Sequence, residues 1–229
     1  MPRLLTFFIS LLFALLAHAG EIIYLDSSTG TQRLLNADCN QTYFSVQPFV
    51  DTQENLAFCG PASMAAILNS LPKERRPVSP QLKPYAYFTQ DTFFNPNTAS
   101  IKSRQAALQS GLTLQQSAEM LRSFSVEVDI VYGDQINETS LRDLVKSSMA
   151  DQNTRLLINF DRQQLGQNGH GHFSPAAGYD SASDALLILD VAKFKYPPFW
   201  VSVPDLLRAM NTIDPDSGKS RGLIRVRGR

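Results

Sequence analysis

The alternation of apolar and polar positions divides the chain into unequal parts. Leu4 to Ala17 is an almost unbroken apolar run behind one positive residue, Arg3, and Ala17-His18-Ala19 then gives the small-x-small pattern of a signal-peptidase site. The run is shorter than the ~20 apolar residues a bilayer-spanning helix needs, so residues 1–19 read as a signal peptide and residues 20–229 as one catalytic-sized domain. An uncleaved anchor is the alternative. Residues 21–51 are mixed and turn-rich and read as an arm over the surface. Cys59 to Leu71, CGPASMAAILNSL, carries Ala, Met, Ile and Leu on nearly every face. That pattern predicts a helix in the middle of the core, with Pro61 in its first turn and Pro72 closing it.

Residues 72–104 are irregular, with Tyr85, Tyr87, Phe88, Phe93 and Phe94 as expected packing anchors. Thr113 and Gln116 form a capping-box pair ahead of Ala118 and Leu121. Val126, Val128 and Ile130 alternate with Glu127 and Asp129, which predicts a half-buried strand. Leu141, Leu144, Val145 and Met149 share one helical face. Leu156 to Phe160, Phe173 to Tyr179, Leu186 to Val191 and Gly222 to Val226 read as strands, interrupted by a short helix starting near Ser202 or Pro204. Helices first and strands later predict an α+β fold with an antiparallel sheet, its two halves facing each other across a cleft.

Composition narrows the function classes. The 229 residues hold 21 Lys+Arg against 21 Asp+Glu. A formal charge of zero removes the electrostatic argument for nucleic acid or an anionic membrane as partner. A 43% hydrophobic content supports a packed core, and two Cys supply neither a disulfide-dense scaffold nor a Cys-rich zinc site. With the leader removed, the expected location is the periplasm or the secreted fraction.

Cys59 opens the apolar helix, where unpaired amides and the helix dipole stabilise a thiolate. An inert core thiol and a disulfide to Cys39 weigh about equally with a nucleophile at this point. His170 and His172 in NGHGHFSPAAGYD are the histidines left once His18 departs. A thiolate needs an imidazole beside it and a third group to orient the ring. A hairpin joining the His172 strand to the strand that Asp190 closes could bring those two together. His170 and His172 share a strand face, but without a third nearby ligand a metal site is weakly supported, and a surface role suits His170 better. Gln53, six residues before Cys59, could donate to a developing oxyanion together with the Cys59 amide. The order Gln, Cys, His, Asp is that of papain-like cysteine peptidases.

Three segments carry a fuller resemblance: QENLAFCGPASMAAILNSL, LLINFDRQQLGQNGHGHFSPAAGYDSASDALLILDVAKFKYPP and LRAMNTIDPDSGKSRGLIRV. From about Gln53 to Val226 the chain resembles the phytochelatin synthase family, most closely its short bacterial members. The resemblance implies a papain-like fold, a helical half with the nucleophile helix facing an antiparallel half. It also implies cleavage of the Cys–Gly bond of glutathione, a triad of Cys59, His172 and Asp190, and Gln53 in the oxyanion hole. Asp214 and Arg221 would hold the ammonium and carboxylate of the γ-glutamyl group, a task that suits their chemistry; ordinary surface charge is their bland reading. Asn159 is a further candidate for substrate contact. No tightly bound cofactor is expected, and cadmium or zinc would arrive as glutathione thiolate complexes. Plant and fungal members carry a Cys-rich C-terminal region, whereas this sequence stops at Arg229, so hydrolysis to γ-glutamylcysteine is expected to outweigh phytochelatin formation. A peptidase acting on longer peptides and a non-catalytic thiol or metal-binding module remain the alternatives. The oligomeric state, a homodimer among the options, is not legible.

Overall fold

The computed structural model describes residues 22–71, 76–78 and 83–229. The leader over residues 1–19 and the closing Pro72 lie outside these. Strand β1 (Ile23–Tyr24) is followed by helices α1 (Ser28–Asn36), α2 (Gln41–Val46), α3 (Cys59–Ser70), α4 (Pro96–Ile101), α5 (Arg104–Ser110) and α6 (Leu114–Arg122). Strand β2 (Val126–Tyr132), helix α7 (Glu138–Ala150) and strands β3 (Thr154–Asp161), β4 (Gly171–Asp180), β5 (Ala185–Ile188) and β6 (Phe199–Ser202) come next. Helix α8 (Val203–Met210) and strand β7 (Gly222–Gly228) complete the order. The fold is α+β.

All described strands join one antiparallel sheet in the order β1-β6-β5-β4-β3-β7-β2. Period-two alternation splits its side chains between two cores. Leu157, Phe173, Ala177, Leu187 and Ile224 pack with α3, whereas Leu156, Ile158, Ala176, Leu186 and Leu223 pack with Leu141, Val145 and Met149 of α7 and Leu206 and Met210 of α8. The sheet is therefore covered on both faces and does not stand as a separate half opposite the helices. Every residue of α3 is buried, in keeping with its all-round apolar sequence.

α6 begins with the Thr113/Gln116 capping box. α8 starts with Ser202 as its cap and Pro204 in its first turn, where the missing amide costs nothing. Three further expectations need correction. Residues 22–51 do not form an arm over the surface: they make β1, α1 and α2 and bury Leu34, Val46 and Val50, with Trp200 Nε1 donating to the Gly30 carbonyl at 3.1 Å. Phe88 and Phe93 anchor the next segment as expected, but Tyr85 is 73% exposed, and α4 forms there behind an Asn95/Thr98 capping box. β5 ends at Ile188, so Asp190 lies beyond the strand it was expected to close.

Candidate active site

Cys59 is the first residue of α3, and its predecessor Phe58 offers no side-chain cap. Cys59, only 8% exposed, therefore sits at the helix end whose first-turn amides lack intrahelical partners. α3 is pinned to β4 by the Ser63 hydroxyl, which donates to the Phe173 carbonyl at 3.1 Å. His172 precedes Phe173, so the contact that seats the helix also sets the imidazole at the thiol. The two side chains interact by hydrogen bonding and by charge.

The imidazole is 5% exposed, and its Nε2 lies 3.0 Å from Asp190 Oδ1 and 2.9 Å from Ser174 Oγ. That leaves Nδ1 for the thiol. Asp190 arrives because the β4–β5 pairing runs on past the strand end, with the Leu189 amide donating to the Pro175 carbonyl at 2.9 Å. Asp190 Oδ1 also accepts from the Ala192 amide at 2.8 Å and from Arg162 Nη2 at 2.9 Å, and the same Nη2 is 2.7 Å from Oδ2. Sequence reasoning missed Arg162, because an arginine after an aspartate in NFDRQQ reads as surface charge. It missed Ser174 too, although two residues beyond His172 on one strand the same face was predictable.

These neighbours bias the protonation states. Burial pushes the Cys59 thiol up, but the hydrogen bond and charge of His172, the Phe173 amide and Arg162 outweigh it and hold the thiol below its ordinary range. Burial pushes His172 down, yet Asp190 and Cys59 together raise it. Asp190 is lowered despite its burial, by His172, Arg162 and the Ala192 amide. All three directions favour a thiolate beside an imidazolium held by a carboxylate.

Two clefts meet here. One, of about 220 Å³, is lined by Cys59, Asn159, Asp214 and Arg221. The other, of about 280 Å³, is lined by Gln53, Arg162, His172 and Lys195. Leu56, His170 and Gly171 border both. Gln53 is buried, its amide donates to the Val191 carbonyl at 2.9 Å, and its Nε2 donates to the Asn55 carbonyl while Oε1 has no partner. Asn159 is buried, with Nδ2 donating to the His172 carbonyl at 3.3 Å.

Arg221 is also buried, and its Nη1 donates to Thr212 Oγ1 at 3.0 Å and to the Ile213 carbonyl at 2.7 Å. Its Nε and Nη2 lie over Gly171, and the Asp161 carboxylate stands 3.9 Å from Nη1. Asp214 is half-buried and shapes its own turn, accepting from the Ser217 hydroxyl at 2.9 Å. Cys39 and Cys59 are both free. Cys39 bridges to Tyr179 and packs against the α7/α8 core, whereas Cys59 belongs to the α3 core, so the disulfide alternative has no geometry behind it. Among the described residues no three His, Cys, Asp or Glu side chains cluster as metal ligands.

Comparison with known proteins shows the family of the chain. The family model described as phytochelatin synthase matches residues 16–223. Glutathione gamma-glutamylcysteinyltransferase 3 of Lotus japonicus is 32% identical over 185 residues, covering 80% of this chain and 36% of that protein. Glutathione gamma-glutamylcysteinyltransferase 2 of Arabidopsis thaliana is 31% identical over 187 residues, 80% of this chain and 39% of its own length. The glutathione gamma-glutamylcysteinyltransferase of Schizosaccharomyces pombe is 32% identical over 213 residues, 89% of this chain and 48% of its own. The chain thus spans less than half the length of each. Since the family match runs continuously through both clefts and every residue that lines them, the chain belongs to the phytochelatin synthase family.

Proposed function

We propose that the chain is a papain-like cysteine enzyme that cleaves the Cys–Gly bond of glutathione through a γ-Glu-Cys thioester on Cys59. The observation that carries this is the coupled Cys59–His172–Asp190 group at the junction of two clefts, one of which ends on a buried arginine whose Asp161 partner stands 3.9 Å off at Nη1, leaving Nε and Nη2 for a ligand. A guanidinium buried in that way calls for an anion, and the γ-glutamyl carboxylate meets the requirement. Asp214 in the same cleft then faces the ammonium, and Asn159 borders the peptide between them.

Thiolate Cys59 attacks the carbonyl carbon of the Cys–Gly bond. Negative charge moves to the carbonyl oxygen, where the Cys59 amide and Gln53 would donate to it; Gln53 reaches this task by turning an N–H from its present partner Asn55. His172 gives its proton to the glycine nitrogen, the C–N bond breaks, and glycine leaves with the thioester remaining on Cys59. Water, or the amine of a second glutathione, next attacks the thioester while His172 takes the proton. Thiolate Cys59 is released with γ-glutamylcysteine or a short phytochelatin.

Hydrolysis is the main outcome in this scheme. The second cleft contains Lys195 and Arg162 but no carboxylate among the described residues that line it, so it offers no counterpart of Asp214 for a second γ-glutamyl ammonium. Cadmium or zinc enters as substrate, carried on glutathione thiolates, and the leader over residues 1–19 would deliver the enzyme to the periplasm or the secreted fraction. The names of the relatives and the family membership support glutathione as substrate.

The test is to mix purified protein with glutathione, with and without cadmium, and follow glycine and peptide products by mass. Glycine with γ-glutamylcysteine as the major partner is expected. Cleavage of extended peptides in preference to glutathione would overturn the substrate assignment.

A further inference from the structure

We propose that Arg162 is a positioning residue of the triad: by sharing the Asp190 carboxylate with His172, it orients that carboxylate and sets the pH range in which the thiolate–imidazolium pair exists. The inference rests on the triad proposed above and adds a fourth member that acts through another residue.

The guanidinium is held on its edges and its faces. Its Nη2 lies 2.9 Å from Asp190 Oδ1 and 2.7 Å from Oδ2, and its Nη1 donates to Gln167 Oε1 at 2.6 Å. It stacks over the Tyr196 ring at 5.1 Å and approaches the Phe160 ring at 5.8 Å. Backbone bonds from Arg162 to the His170 carbonyl (3.2 Å) and from Gln167 to the Arg162 carbonyl (3.0 Å) fold the segment back on itself ahead of β4. Arg162 is 3% exposed and Asp190 1%. A cation this deep must recover its lost hydration from acceptors around it, and here a carboxylate supplies the opposite charge as well. The carboxylate is therefore contested by two cations, a permanent guanidinium and an imidazolium that can lose its proton.

That contest has a defined direction. A carboxylate serving His172 alone would grip the imidazolium proton harder. The guanidinium draws part of that charge away, and its own positive charge favours the thiolate across the site. Removing the charge without removing Asp190 makes the thiol harder to ionise and the imidazolium harder to deprotonate. Both ends of the active range move upward together. Loosened packing alone lowers turnover without moving either end.

The experiment is the pH dependence of Cys59 alkylation by iodoacetamide, in a Cys39→Ser background, for the parent and for Arg162→Met, Arg162→Lys and Gln167→Ala. In Arg162→Met both inflections should rise by about one pH unit, so alkylation below the parent's acid inflection falls about tenfold. Arg162→Lys keeps the charge but not the planar fork and should hold the inflections near the parent's while kcat falls. Gln167→Ala, which frees one edge of the guanidinium, should show a smaller rise. Inflections unmoved in Arg162→Met, with a raised KM for glutathione, would overturn the proposal and make Arg162 a substrate contact. Should Arg162→Met fail to fold, unmoved inflections in Gln167→Ala overturn it equally. Alkylation needs no glutathione. A parent protein whose Cys59 shows no reactivity below the ordinary thiol range would overturn the triad, and this inference with it, whereas unmoved inflections on a reactive parent touch Arg162 alone.

Discussion

Gly171 lies directly beneath the guanidinium of Arg221: a methyl group at position 171 would come within 2.8 Å of Nη2 and 3.0 Å of Nε. Those are the two nitrogens that make no bond to Thr212 or Ile213, and in the proposed complex they hold the γ-glutamyl carboxylate. Gly171→Ala should therefore displace the guanidinium and raise KM for glutathione about tenfold or more, the scale of a lost charge-assisted hydrogen bond. Cys59 alkylation, which needs no bound carboxylate, should remain close to the parent rate. An unchanged KM would remove Arg221 from the donor site.

Cys59→Ser should abolish glycine release, with kcat falling by about 10⁴-fold or more, and Cys39→Ser should leave it near the parent value. Burial and the Asp38 charge raise the Cys39 thiol, so only Cys59 should alkylate under mildly acidic conditions. Peptide mapping after a short iodoacetamide pulse reads both outcomes. Equal labelling of the two sulfurs would contradict the assignment.

The pH profile follows from the two directions of shift. A thiol lowered from its usual ~8.5 and an imidazole raised from its usual ~6.5 both shift toward a thiolate–imidazolium pair, which is the dominant state between the two values where they cross. Activity is lost on the acid side as Cys59 takes up a proton, and on the alkaline side as His172 gives up the one that glycine needs. A bell in kcat/KM is expected, with its acid limb below the ordinary thiol range. A rate that climbs steadily to about pH 8.5 would indicate an ordinary thiol.

Arg155 serves the far end of the nucleophile helix. Its Nε donates to Ser70 Oγ and its Nη2 to the Ser70 carbonyl, both at 2.9 Å, and Nη1 reaches the Gln152 and Thr154 carbonyls at 2.9 and 2.7 Å. Burial brings its pKa down to about 10, so it stays charged at neutral pH, against the negative end of the α3 dipole. Arg155→Met orphans these acceptors and should cost about 3 kcal/mol of stability. Denaturant unfolding should show that loss, with kcat/KM per folded molecule little changed.

The parts of the fold that could be read in advance are those whose signal is local. α3 announces itself by apolar residues on every face, α6 by the Thr113/Gln116 box, and β3, β4 and β7 by short apolar runs between turn residues. Cys59, His172 and Asp190 were singled out because their residue types and order carry chemistry. Arg155 and Arg162 were not, since a buried arginine looks in sequence like any exposed one until a distant carbonyl or carboxylate is brought to it. α1 and α2 escaped for a related reason: Gln41 to Val46 has weak helical pattern of its own and is fixed by the tertiary burial of Val46 and by the Thr42 hydroxyl, which donates to the Met149 carbonyl at 3.3 Å. Asp190 was expected inside a strand; backbone pairing continues only as far as Leu189, which leaves its carboxylate free to turn toward the imidazole.

Because the reactive sulfur is the tip of a helix enclosed along its entire length, it cannot be set apart from the interior it belongs to. Heating or denaturant that loosens that interior exposes the atom to reagents and, in the same transition, strips away the helix amides and imidazole that make it acidic. In weak acid, labelling by an alkylating probe should therefore slow as the protein melts, although access improves: a built-in reporter whose dimming marks the cooperative loss of structure.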